Sequence, residues 1–258
     1  MTKPKIGISM LYCLADSFNK MTVQIPKAQT RYIEIVDDGL HTLNKQRIKK
    51  LNTLRKSCDL KYTVHAPFAG INIAHPSKPL LNATMRRLKQ SITNASMLDC
   101  QLWIFHPAMK TGISMFYPDK DWARNLEAVH FLIKLASDLN VKIAIENVME
   151  PFVMKTVEDF EKFYGEFEEN MGLVLDTGHA NINGHAENFV TEFSGKIVHI
   201  HAHDNNGKTD QHLGIGYGTI DWKKVADQLK NIAYDRIIMI ESVEHIEESM
   251  QKLKQLLA

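Results

Sequence analysis

Residues 197–212 read IVHIHAHDNNGKTDQH. Four of the chain's 12 histidines stand in this stretch, and His199, His201 and His203 alternate with Val198, Ile200 and Ala202. That is the period-2 spacing of a β-strand with aliphatic side chains on one face and imidazoles on the other. A solvent-facing strand has little use for three imidazoles in a row, so the pattern predicts one wall of a site. Similar aliphatic or β-branched runs recur along the chain: KIGIS (5–9), RYIEIV (31–36), KYTVH (61–65), QLWIFH (101–106), VKIAIEN (141–147), MGLVLD (171–176), KIVHIH (196–201) and RIIMIE (236–241). Helical spacing fills segments between them: Leu81, Met85, Leu88, Ile92, Ala95 and Leu98 within 80–99; Leu126, Val129, Ile133 and Ala136 within 119–139; Trp222, Val225 and Leu229 within 221–231; and Ile246, Met250, Leu253 and Leu257 at the C-terminus. Strand alternating with helix predicts a parallel sheet with crossover helices. Eight such units in 258 residues predict an α/β fold, a single (β/α)₈ TIM barrel with its site at the C-terminal ends of the strands. The rival, an open doubly wound sheet, would call for a GxGxxG turn after the first strand, and none is present. No linker, low-complexity stretch or strong repeat divides the chain, so residues 1–258 read as one domain.

The composition narrows the function classes. With 31 basic and 30 acidic residues and a formal net charge of +1, there is no bulk electrostatic drive toward nucleic acid or an acidic membrane. The three cysteines, Cys13, Cys58 and Cys100, are far apart and form no CxxC pair, which argues against a disulfide scaffold or thiolate zinc site and suits a reducing compartment. The opening MTKPKIGISM lacks the apolar run of a signal peptide, and stretches such as VHFLIKLA (129–136) are too short to span a bilayer. The expectation is a cytoplasmic globular protein.

The strand ends carry the chemistry. Strands 3 to 8 end at His65, His106, Glu146, Asp176, His201 and Glu241. Taken singly, each has a bland explanation; Asp176 before Thr177, for instance, could simply begin a turn. Six ligand-type residues aimed at one mouth from six successive strands argue for a shared use. Imidazole with carboxylate and no thiolate suits Zn²⁺, Mn²⁺, Fe²⁺ or Co²⁺. Buried carboxylates crowded at one mouth would repel and take up protons unless a cation sat among them. The loops add His179 in DTGHA, and the pair Asp210 and His212 just before LGIGYG. Asp204 reads as the start of a turn through Asn205, Asn206 and Gly207, and His199 as a hydrogen-bonded histidine one layer deeper in the barrel.

Together, VHAPF with His65, IFHPA with His106, IAIEN with Glu146, VLDTGHA with Asp176 and His179, HIHAHDN with His201, DQHLGIGYG with Asp210 and His212, and MIES with Glu241 resemble the xylose isomerase-like TIM barrels, which include sugar and sugar-phosphate isomerases and epimerases and endonuclease IV. The pieces occur in order from strand 3 to strand 8. In the sugar isomerases the resemblance implies one divalent ion on Glu146, Asp176, His201 and Glu241, with the two glutamates also moving protons. In the endonuclease branch it implies that His65, His106, His179, Asp210 and His212 join them in a three-metal cluster. One to three divalent ions per chain follow, and the residues leave the metal open.

Two function classes result. The first is a metal-dependent isomerase or epimerase of a sugar, sugar phosphate or related hydroxy-carbonyl compound, with Glu146 and Glu241 as catalytic acid and base. Its substrate contacts would include His203, Lys208, Phe68 and Asn147, with Lys208 and the glycine-rich loop 214–218 suited to a phosphate. The second is a multi-metal phosphoesterase acting on abasic sites in nucleic acid. Glu34, Asp37 and Asp38 in YIEIVDDG are expected near the mouth, where they would repel a phosphate backbone, and no run of basic residues answers them. Phe68, Phe116, Tyr117 and Phe152 are expected in mouth loops, shaping a small-molecule pocket under the first reading or stacking on a base under the second. A small molecule is therefore the expected partner, with oligomeric state left open.

Overall fold

The computed structural model describes residues 3–117, 119–184 and 186–258. Eight parallel strands close into a barrel in sequence order: β1 (Lys5–Ser9), β2 (Tyr32–Val36), β3 (Lys61–His65), β4 (Trp103–Phe105), β5 (Ile143–Glu146), β6 (Gly172–Asp176), β7 (Ile197–Ala202) and β8 (Ile237–Ile240), with β8 returning to pair with β1. All eight expected strands are present. The helices are α1 (Phe18–Gln24), α2 (Lys45–Cys58), α3 (Lys78–Met97), α4 (Lys120–Asp138), α5 (Val157–Glu166), α6 (Thr177–Ile182), α7 (Ala186–Glu192), α8 (Trp222–Asn231) and α9 (Ile246–Leu256). The four expected from periodicity correspond to α3, α4, α8 and α9. Helix starts follow side-chain chemistry: Asn44 caps α2 through the amides of Gln46 and Arg47, and Thr156 with Asp159 forms a reciprocal capping box on α5.

Alternation along each strand separates two environments. Ile33, Ile35, Tyr62, Val64, Trp103, Phe105, Ile145, Leu173, Leu175, Ile200, Ile238 and Ile240 belong to the large core between barrel and helices. Trp103 is anchored there by a 3.0 Å hydrogen bond from its indole N–H to Ser91 of α3. Inside the barrel, Leu102, Ile104, Ala144 and Val174 form a small apolar layer with Val198 packed against it. Val198 departs from the predicted alternation. The β6–β7 register steps from Leu173↔Ile197 to Val174↔His199, a bulge that turns Val198 inward beside His199. Gly172 makes the room, because a Cβ there would lie 2.6 Å from a Val198 methyl carbon.

Above that apolar layer the inward positions are polar. Glu146 and Asp176 end β5 and β6, and His65 ends β3, as expected. His106 and Glu241 each stand one residue beyond their strands, while β7 continues one residue past His201. These one-residue offsets leave all six side chains at the same end of the barrel, where such barrels place their chemistry.

Candidate metal centre

Glu146 is the hub of the mouth. Its Oε2 lies 3.3 Å from His65 Nε2, 3.5 Å from His106 Nε2 and 3.3 Å from His201 Nδ1, while Oε1 lies 3.4 Å from His179 Nδ1. Glu241 approaches the same His201 nitrogen at 3.6 Å. Asp176 does two jobs: its Oδ1 accepts a 2.7 Å hydrogen bond from the His179 amide, capping α6, and both its oxygens lie 3.1 Å from His203 Nε2. The turn reading of Asp176 is thus correct as far as it goes, and the residue also joins the cluster. Asp210 closes the far side, 3.1 Å from His212 Nε2 and 3.4 Å from His179 Nε2.

Three sets at the mouth bring ligand atoms within 4.8 Å of one another around this centre: His65, His106 and Glu146; Glu146, Asp176 and His201; and Asp176, His179 and His203. A fourth, His203, His212 and Glu241, adjoins them. All nine residues expected as ligands therefore meet at one place. The donor set is imidazole and carboxylate, which fits a divalent ion of the zinc, manganese, iron or cobalt type. Unmatched polar atoms provide an independent test. Glu146 Oε2, His201 Nδ1 and Asp210 Oδ1 are all buried without a hydrogen-bond partner, a costly arrangement unless something else takes their lone pairs.

Electrostatics corrects one expectation. The carboxylates do not simply repel into protonation, because histidines pair with them. Burial would raise Glu146 and Asp176, but His201 and His106 hold Glu146 well below the usual range, and His179 and His203 lower Asp176. Asp210 is lowered the same way, by His179 and His212 against the effect of burial. Only Glu241 of the mouth carboxylates behaves as predicted: burial, with Glu34 and Glu146 nearby, pushes it up to about 8 despite His201. On the imidazole side, burial is overcome by Glu146 at His65 and by Asp210 at His212, each raised to about 9. His179 and His201 are also raised well above the ordinary value, against burial, by Asp176 and by Glu241 respectively. Burial wins at His106 and at His199, which falls to about 3.

Several side chains stand elsewhere than expected. His203 is fully buried and contacts Asp176, and its ring stacks on His212 at 3.9 Å, so it sits among the ligand-type residues. Two signals pointed there: His203 is in phase with His201, and DTGHA contains Gly178, whose missing Cβ would lie 2.0 Å from the His203 ring. Asn147 is fully buried, accepting from the Asp176 amide at 2.8 Å and donating to the Asp176 carbonyl at 3.0 Å. It braces β6 at Asp176. His199 is interior as expected, but its Nε2 finds no hydrogen-bond partner and lies 3.6 Å from Glu34. Asp204 is a loop organiser, accepting from the amides of Asn205, Gly216 and Ile220 and from the Trp222 indole.

The acidic repulsion expected from YIEIVDDG is absent. Glu34 is buried inside the barrel. Asp37 is buried in a 2.8 Å ion pair with Arg87, and Asp38 accepts from the amides of Gly39, Phe68 and Ala69. Phe68 does border the site, 5.6 Å from His65 and 6.0 Å from His106 between ring centroids, and Phe152 stands 5.4 Å from His106. Phe116 and Tyr117 are exposed on the loop after β4, and Lys208 is exposed on a turn held by Asn206. The three glycines of 214–218 are explained by packing: a Cβ at Gly218 would lie 2.3 Å from the Asn205 carbonyl, and Gly214 and Gly216 abut His245 and Lys252. A cavity of about 840 Å³ opens at the opposite end of the barrel, lined by Lys5, Lys61, Lys142, Lys196 and Arg236, and contains none of the nine mouth residues.

Comparison with known proteins agrees with this architecture. Residues 25–256 match the model of the xylose isomerase-like TIM barrel family, and the chain belongs to that family. The structure of a D-tagatose 3-epimerase-like protein superposes with a TM-score of 0.91 at 31% identity, covering 98% of this chain and 97% of that one. D-psicose 3-epimerase of Agrobacterium fabrum is 23% identical over 92% of this chain and 84% of its own length. The zinc-bound structure of the IolI protein shares the fold, with a TM-score of 0.79 at 20% identity over 98% of this chain and 96% of that one. Among the described residues, no helix is long and apolar enough to cross a membrane.

Proposed function

We propose that the chain is a divalent-metal-dependent epimerase or isomerase of a sugar or sugar phosphate, the ion being held by Glu146, Asp176, His201 and Glu241. The observation that carries this reading is the pair of carboxylates facing one ligand nitrogen: Glu146 and Glu241 lie 3.3 and 3.6 Å from His201 Nδ1. Both carboxylates stand beside the same ligand nitrogen, and such a pair can serve as base and acid toward one substrate. Glu146 then accepts the proton on the carbon next to the substrate carbonyl, and Glu241 returns a proton to the planar enediolate from the other face, inverting the centre. A divalent ion held by Glu146, Asp176, His201 and Glu241 would supply Lewis acidity toward the substrate's oxygens. Phe68 and Phe152 close the apolar side and keep water from the reacting carbon. The resemblance to proteins described as D-tagatose 3-epimerase-like and D-psicose 3-epimerase supports a ketose as substrate.

The test is epimerisation of D-psicose and D-tagatose by Mn²⁺- or Co²⁺-supplemented protein in D₂O, following deuterium at the epimerised carbon. Glu146→Gln and Glu241→Gln should each lower kcat by about 10²–10⁴. Full activity in both variants would remove the two-carboxylate mechanism.

A second reading, multi-metal phosphoester hydrolysis, draws on one specific observation. Donors beyond the first four also converge, in the sets His65–His106–Glu146 and Asp176–His179–His203. If abasic-site cleavage is the activity, Asp210→Ala and His212→Ala must abolish it, and protein purified without chelator must carry two or three ions. Unchanged cleavage by these variants would dismiss this reading.

A further inference from the structure

We infer that Glu34 is a positioning residue for the metal centre: from inside the barrel it fixes the tautomer of His201 so that Nδ1 presents its lone pair to the mouth. The inference rests on His201 serving as a ligand, as proposed above. Glu34 is on β2, fully buried, and far from the mouth in sequence. Its Oε2 lies 3.3 Å from His201 Nε2 and accepts a 3.0 Å hydrogen bond from Thr63 of β3. The other ring nitrogen, Nδ1, lies between Glu146 and Glu241 at 3.3 and 3.6 Å and has no hydrogen-bond partner. A carboxylate acceptor at Nε2 keeps the proton there in the neutral ring and leaves Nδ1 as the electron-pair donor. The opposite tautomer would aim the Nε2 lone pair at the Glu34 carboxylate, whereas an ion at the mouth would take up the Nδ1 lone pair that otherwise faces Glu146 and Glu241. Thr63 matters because it selects which oxygen of Glu34 faces the imidazole.

Glu34, His199 and His201 also come within ligand reach of one another. The closest approach among them, 3.3 Å between His201 Nε2 and Glu34 Oε2, is a hydrogen bond that an ion there would have to displace. The geometry therefore favours a hydrogen-bonded support beneath the ligand, and the alternative becomes an outcome of the test.

The experiment combines metal titration with imidazole spectroscopy. Metal-free protein is titrated with Co²⁺ against a competing chelator, and long-range ¹H–¹⁵N spectra of the zinc-loaded wild type report which His201 nitrogen carries the proton. Nε2 should be protonated; a proton on Nδ1 overturns the inference whether or not any variant folds. Glu34→Gln, nearly isosteric, should weaken Co²⁺ binding about 10-fold and Glu34→Ala up to about 100-fold, with unchanged stoichiometry. Binding by Glu34→Gln within about twofold of wild type would show that Glu34 only fills space, since loss of an orienting partner costs more than that. Loss of one whole equivalent of metal with unchanged affinity for the rest would make Glu34 itself a ligand, and likewise overturn the inference. His201→Ala separates the two levels. If it binds Co²⁺ as tightly as wild type, the ligand reading falls and takes this inference with it. If it binds weakly while Glu34→Gln does not, the positioning role alone is lost.

Discussion

Raising the pH of the metal-free protein from about 7 to about 9 interrogates the centre without altering a residue. His65 and His212 are raised to about 9 by Glu146 and Asp210, so at neutral pH both carry a proton. A protonated imidazole cannot bind a metal, so each must release its proton to serve as a ligand. With a pKa of about 9, that release at pH 7 costs about 3 kcal/mol, or on the order of 100-fold in apparent affinity per histidine used. Affinity should therefore rise with pH and level off above about 9. The number of protons displaced also identifies the donors. An ion on Glu146, Asp176, His201 and Glu241 displaces one proton from His201 and most of one from Glu241, which is raised to about 8. A second ion on His65 and His106 adds one more, since burial already keeps His106 neutral. A third on His179, Asp210 and His212 adds two. Calorimetric titration with Zn²⁺ at neutral pH, in buffers of different ionisation enthalpy, counts these protons directly. Heats independent of buffer, or an affinity flat across this pH range, would refute the assignment of these histidines as protonated ligands.

The same ionisations affect stability in the metal-free protein. His65 and His212 stabilise the fold fully below their ordinary value of 6.5, and that contribution is lost as pH rises through about 9. Glu241, raised from 4.5 to about 8, works in the same direction, so thermal melts should fall between mildly acidic and alkaline pH, and equal melting temperatures would contradict the pairing. Gly178→Ala should displace the His203 ring, because the new Cβ would lie 2.0 Å from it; reduced metal content alongside a lower Tm is expected, and unchanged metal content would show that His203 is dispensable. Asn147→Ala removes both hydrogen bonds that brace the Asp176 backbone and should cost about 1–3 kcal/mol in denaturant titration, with an effect near zero arguing that β6 is held otherwise. Asp210→Ala with His212→Ala should leave the first ion in place and reduce total metal by elemental analysis; loss of all metal would mean that the four-residue site does not stand alone.

The barrel was legible because its two signals are local and repeated. Short aliphatic or β-branched runs mark every strand, and ligand-type residues mark the ends of strands 3 to 8. What escaped depended on contacts between residues far apart in sequence. Nothing around Asn147 announces that its amide would be consumed by the backbone of Asp176, 29 residues on. His203 looked like a loop residue because it follows the apparent strand end, yet it remains in register with His201 and is buried against Asp176. The bulge at Val198 depends on the absence of a side chain at Gly172 on the neighbouring strand, a relation that spacing within one segment cannot express.

YIEIVDDG shows how such long-range pairing changes a functional argument. Three acids within five residues suggest a mouth that would reject phosphate. In the folded chain each is committed to an internal partner: Glu34 to Thr63 and His201, Asp37 to Arg87, and Asp38 to backbone amides of its own and the neighbouring loop. Their charge is spent beneath the mouth or neutralised beside it, so this segment no longer discriminates a sugar from a sugar phosphate. Lys208 is exposed, and the glycines of 214–218 are each accounted for by packing, so neither builds an evident phosphate cradle. The discrimination between isomerase and phosphoesterase then shifts from charge repulsion to donor count. Glu146, Asp176, His201 and Glu241 suffice to hold one ion and move one proton, whereas His65, His106, His179, Asp210 and His212 are surplus to that reaction unless a further ion, or a substrate oxygen, takes up their unmatched nitrogens and oxygens.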